Sequence, residues 1–99
     1  VTETEKETQI PKQIQIGGTT YTVEYTTIEN SNEGGEIDFV NSKILLDKTL
    51  GKQQTERVFL HEVLHAIDQS YNNGKLDEDA IDRMAHGLHQ FVREMDWFY

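Results

Sequence analysis

Across residues 13–27 apolar and polar positions alternate: Ile14 and Ile16, then Tyr21, Val23 and Tyr25, with Gly17-Gly18 between the two groups. A period of two marks strands with one buried face and the glycine pair marks a turn, so this segment predicts a β-hairpin. Residues 29–35, rich in Asn, Ser and Gly, predict a polar loop. Residues 37–40 and 43–47 predict two more short strands, joined by a tight turn at Asn41-Ser42. After Gln53 the period changes. Phe59, Leu60, Val63, Leu64, Ala66 and Ile67 recur at helical spacing toward Tyr71. Asn72-Asn73-Gly74 ends that helix, with Gly74 suited to a left-handed C-terminal cap. Asp77 is a good N-cap for a second helix, and Glu78 and Asp79 complement the dipole of its first turn. That helix is expected to run to Met95 and to bury Ile81, Met84, Leu88, Phe91 and Met95 on one side. The short connection makes the helices antiparallel. The expected fold class is α+β: a small antiparallel sheet of three or four strands, then a two-helix hairpin.

Residues 1–9 hold a single hydrophobic residue among Thr, Glu, Lys and Gln. Such a segment buries too little apolar surface to offset the entropy of ordering it, so it is expected to be a flexible tail. Residues 10–99 are then one domain. A core of that size gives marginal stability, which a metal bound to the folded state would raise. Eighteen acidic residues stand against nine basic ones, a formal net charge of -9. Unaided binding to nucleic acid or to an anionic membrane surface is thereby disfavoured, because phosphate attraction needs clustered Lys and Arg. There is no cysteine, hence neither a disulfide framework nor a thiolate metal site, which fits a cytoplasmic setting. No signal peptide or membrane-spanning stretch is read from the chain.

The chemistry concentrates in His61-Glu62-Val63-Leu64-His65. Two residues four apart differ by about 40° around a helix, so His61 and His65 project side by side. Their imidazoles can share one Zn²⁺ at about 2.0–2.1 Å. Glu62 lies about 100° round from His61, poorly placed as a third ligand but able to face a metal-bound water. Such water has its pKa lowered to about 7, and a carboxylate beside it can take its proton and pass it to a leaving amine. Short strings of this kind arise by chance on exposed segments. This one sits in helical phase among the apolar residues of an expected core helix.

A catalytic zinc site needs a third protein ligand and an open position. The continuation in which Gly and His follow at the third and sixth places is excluded, because Asp68 and Tyr71 stand there. A carboxylate from the second helix is the other solution. With the turn centred at Asn73-Gly74, His65 should lie level with Asp82 and His61 with His86. Asp82 is accordingly the first choice, and the small Ala85 beside it would allow close approach. Glu78, one turn nearer the loop, is the alternative, although its place at a helix N-terminus is explained by the dipole alone. His86 could be an outer partner or an alternative ligand. Asp68 could fix the tautomer of a ligand histidine or be a solvated acid. Tyr71 and His89 are candidates to stabilise an oxyanion.

Residues Ile44-Leu45-Leu46-Asp47, the run from Thr55 to Ile67 and the run from Asp82 to Leu88 together resemble the small ImmA/IrrE-type zincin metallopeptidases. The likeness is to short forms found in phages and mobile elements, and it extends over residues 35–92. It implies a minimal zincin-like fold in which the strand before the active helix borders the cleft. It also implies that the motif histidines and a downstream acid hold the zinc. That acid commonly opens a Glu-x-x-Ala-Asn pattern; the matching positions here are Asp82, Ala85 and His86, with Asp for Glu and His for Asn. The implied activity is cleavage of a protein, often a DNA-binding repressor. The expected function is thus a zinc-dependent metallopeptidase in which Glu62 activates water and an extended peptide adds to the sheet edge. A zinc hydrolase of a non-peptide amide or ester, and a metal-stapled interaction module with an idle Glu62, are the alternatives.

Overall fold

The computed structural model describes residues 10–29 and 33–96. The tail expected over residues 1–9 lies outside the described residues. Four strands precede two helices: β1 (Gln13–Ile16), β2 (Thr19–Thr26), β3 (Gly35–Asp38), β4 (Lys43–Asp47), α1 (Lys52–Tyr71) and α2 (Glu78–Glu94). The protein is α+β, as the two periods require.

The sheet order is β1-β2-β4-β3. β1 and β2 form the expected antiparallel hairpin, and β3 and β4 a second one. β2 and β4, however, run parallel, with Val23 opposite Ile44 and Tyr25 opposite Leu46. The sheet is therefore mixed, not purely antiparallel. Its most apolar strand explains the arrangement: Ile44 and Leu46 are wholly buried, and a central position shields both edges of β4. The polar β1 and β3 take the outside. Because β4 is inserted between them, the chain leaving β2 must cross the end of β4 before β3 begins. It is held there by the amide of Lys48 donating to Thr26 O and that of Asp47 donating to Gly34 O. Asp38 builds the β3–β4 turn, accepting from the amides of Val40 and Asn41, while Ser42 takes a left-handed φ of 56°.

α1 lies across one face of the sheet against β1, β3 and β4. Val58, Phe59, Leu60, Val63 and Ala66 join Tyr21, Val23, Ile44 and Leu46 in the core. Gly35 permits the approach of β3: a Cβ there would collide with Val58 Cγ1 and meet Glu62 Oε2 at 3.4 Å. α2 packs on α1. Its buried stripe is Ile81, Ala85 and Val92 with Leu88 partly covered, whereas Met84, Phe91 and Met95 are exposed. The expected stripe was rotated, because α2 meets only the narrow ridge of another helix and tucks its small Ala85 into the contact. No helix among the described residues is long and apolar enough to cross a membrane.

Candidate metal centre

His61 and His65 stand side by side on α1, their Nε2 atoms 3.2 Å apart and their ring centroids 4.9 Å apart. His61 is 3 % exposed. The carboxylate that meets both rings is Glu78, from the first turn of α2. Its Oε1 lies 2.5 Å from His61 Nε2, and its Oε2 lies 3.0 Å from His65 Nε2. Ligand atoms of His61, His65 and Glu78 all fall within 4.8 Å of one another, so the group could hold a metal ion. Ligands at about 2.0–2.1 Å from a tetrahedral zinc stand about 3.3 Å from each other. The 3.2 and 3.0 Å separations lie near that edge and the 2.5 Å contact is shorter, the two contacts of Glu78 being made by different oxygens; nitrogen with carboxylate oxygen is a donor set suited to such an ion.

The first choice from the sequence, Asp82, occupies another place. Its Oδ1 is 3.5 Å from Nδ1 of His61, on the far side of the ring from the cluster. The reversal follows from the turn between the helices. Asp68, expected as a histidine partner or a solvated acid, is buried instead and organises that turn. Its Oδ1 accepts from Asn72 Nδ2 and from the amide of Leu76, while its carbonyl accepts from Asn72 and Gly74. Gly74, at φ 66°, lets the chain double back along the end of α1. Asp77 then caps α2 by accepting from the amide of Ala80. α2 consequently starts beside His65, about one helical turn lower than a symmetric loop would place it. Glu78 arrives where height-matching had put Asp82.

Glu62 is 3 % exposed and lines the cleft next to His65 and Glu78. Burial, and then the negative charges of Glu33, Glu78 and Glu36, push its carboxyl up to about 8. A carboxylate with its pKa near neutrality is matched to general-base work. Glu33, which no sequence pattern singled out, joins the cluster from the connection between β2 and β3. Its Oε2 lies 3.0 Å from His61 Nε2, and with His61 and Glu62 it forms a second group able to hold an ion. Burial and a hydrogen bond with Glu78 raise the Glu33 carboxyl above its usual range. For Glu78 burial also acts upward, but the hydrogen bonds with Glu33 and His61 and the nearby imidazoles outweigh it and hold the group low. An acid in a glycine-rich loop carries no periodic signal, and only the crossing over β4 brings it here.

The remaining residues singled out earlier are not brought to the cluster. His86 is half exposed and turns its Nδ1 to the carbonyl of Asp82, 2.9 Å away on its own helix. His89 Nε2 lies 3.0 Å from Glu56 Oε1, and Lys52 Nζ lies 3.0 Å from the other oxygen, forming a buried network at the opposite end of the helix pair. Tyr71 is 73 % exposed at the end of α1 and does not line the cleft.

The cleft is a cavity of about 620 Å³ between the outer edge of β3 and the start of α2. Five carboxylates line it, from Glu29, Glu33, Glu36, Glu62 and Glu78, alongside apolar Ile28, Ile37 and Phe39. Comparison of the chain with protein-family models, curated proteins and solved structures finds no match.

Proposed function

We propose that this chain is a zinc-dependent peptidase, acting on a protein or peptide, in which His61, His65 and Glu78 hold the ion and Glu62 is the general base. One observation carries the reading: the Nε2 atoms of His61 and His65 stand 3.2 Å apart with the carboxylate of Glu78 in reach of both, beside the buried carboxylate of Glu62. A bound Zn²⁺ supplies Lewis acidity, which polarises a scissile carbonyl and acidifies water next to it. Glu62 then takes the proton of the attacking water and delivers it to the departing amine nitrogen. Its buried position keeps it out of competing hydrogen bonds with bulk water, and its raised pKa makes it a competent acceptor and donor in turn. Asp82 Oδ1 stands 3.5 Å from the outer nitrogen of His61, where it would help to orient that ring.

Substrate binding follows from the sheet. β3 is an edge strand whose Gly35, Glu36 and Ile37 line the cleft, so an extended peptide can add to it by main-chain hydrogen bonds. The carboxylates beside that edge favour a basic segment, such as one from a DNA-binding regulator, and disfavour nucleic acid itself. The absence of cysteine suits a cytoplasmic setting.

The test is metal analysis of the purified protein followed by Glu62→Gln. The unmutated protein should carry one zinc per chain and cut a basic peptide library. Glu62→Gln should keep the zinc and lose at least about a hundredfold in rate. An equally active Glu62→Gln variant, or a protein that takes up no zinc, rejects the reading.

A further inference from the structure

α2 carries more apolar surface than α1 covers. Ile81, Ala85, Leu88 and Val92 form the arc that packs inward. At about 100° per residue, Ala80, Met84, Gly87, Phe91 and Met95 form a second arc, about a quarter-turn round from the first. Met84, Phe91 and Met95 are 42 %, 50 % and 51 % exposed. Large apolar side chains in line along one helix make a continuous patch, unlike the scattered exposed residues that any surface has.

Gly87, in the middle of that arc, is a second observation. Glycine is the poorest helix former after proline, and a Cβ here would meet nothing within 4 Å beyond its own turn of helix. Nothing packed against α2 requires the missing side chain. A glycine on an exposed helix face lets another backbone approach closely.

The arc is complementary to itself when run antiparallel. With a twofold axis between Gly87 and Leu88, Met84 faces Phe91 of the second copy, and the small Ala80 faces its large Met95. The two copies of Gly87 meet at the axis, where the helices come closest. Arg83 and Glu94 lie on the same flank of the arc, so each comes within about 3 Å, along the axis, of the level of the other on the second copy. Arg83 holds Asp79 on its own helix and is exposed enough to meet both acids. Antiparallel order also keeps the acidic first turns, with Glu78 and Asp79, at opposite ends, where a parallel pair would stack them.

We propose that this face of α2 is the interface of a homodimer, in which two copies of the chain pair antiparallel through Met84, Gly87 and Phe91 and exchange two Arg83–Glu94 ion pairs. The proposal does not depend on the metal assignment. One helix face from each copy buries on the order of 1,000 Å² in total, at the low end for specific interfaces. Each copy also carries a net charge of -9. The dimer is therefore a reversible one, with a Kd in the micromolar range.

Sedimentation velocity of the full chain over a concentration series tests this, with thermal melts to show that each variant folds. The unmutated chain should pass from monomer to dimer. Gly87→Gln adds a side chain that meets open space within one copy, so it should hold or raise the Tm while raising the Kd at least about tenfold. Arg83→Glu and Glu94→Arg should each weaken self-association by about tenfold. An equimolar mixture of those two variants should recover it, because every facing flank pair is then opposite in charge. A chain that stays monomeric to about 1 mM overturns the proposal. So does a dimer that neither Gly87→Gln nor the charge variants weaken, or a mixture no tighter than its components.

Discussion

Glu62 places a carboxylate where charge is disfavoured, under the core side of β3 and among three other acids. Burial, then these neighbouring acids, push its carboxyl up to about 8, against an ordinary value of 4.5. Between those limits the folded chain retains a proton that the unfolded chain has released, so stability falls as pH rises through the window. Glu33, also raised, adds to that slope, and Glu78, held low, opposes it. Melting temperature measured in chelator should therefore drop between about pH 5 and pH 8. Glu62→Gln should flatten the profile and raise the value at the alkaline end. The two acids of α2 separate at the same scale. On the proposed assignment, Glu78→Ala removes a ligand and should abolish stoichiometric zinc uptake. Asp82→Ala, which removes only the partner of the outer His61 nitrogen, should weaken binding by about ten- to a hundredfold. Competition with a chromophoric chelator reads both.

Asp68 ties the start of α2 to the end of α1 through Asn72, Gly74 and Leu76. Asp68→Ala would leave the Leu76 amide and the Asn72 side chain without their acceptor, costing about 1–3 kcal/mol. It would also release the start of α2, so zinc affinity should fall along with stability in urea denaturation, and Asp68→Asn should rescue part of each. At the other end of the pair Glu56 joins Lys52 to His89 in a buried network. Glu56→Ala breaks the buried pair with Lys52 and should cost about 3–5 kcal/mol, with no direct effect on the proposed ligands. The difference between these two outcomes separates the turn that positions the centre from the network that only fastens the helices.

At the scale of the whole molecule, one sheet, one helix upon it and a second helix upon the first make a small core for the centre to rest on. The proposed ligands come from α1 and from α2, so an ion bound between them would fasten the outer layer to the inner. A ligand bound only by the folded chain stabilises it by mass action, about 2.7 kcal/mol at a hundredfold excess over Kd. Calorimetric melts should rise with added zinc and return to the metal-free value with chelator. Glu78→Ala should lose the increment, since it removes the ligand proposed for α2.

The sequence by itself determined whatever is local or periodic. Alternation along Tyr21, Val23 and Tyr25 set a strand, helical spacing from Phe59 to Ala66 set α1, and four-residue spacing put His61 beside His65 with Glu62 turned toward the cleft. Those relations depend on chain geometry within a few residues, which side-chain identity encodes directly. Tertiary structure alone decided the rest. That β4 enters beside β2 in parallel depends on competition among strands for the buried middle position. That Glu78 and not Asp82 meets both imidazoles depends on Asp68 drawing the turn back by one helical turn. That Glu33 reaches His61 at all depends on the crossing forced by β4. Each of these is a contact between residues distant along the chain, fixed by how buried surfaces fit together rather than by any repeat that the sequence displays.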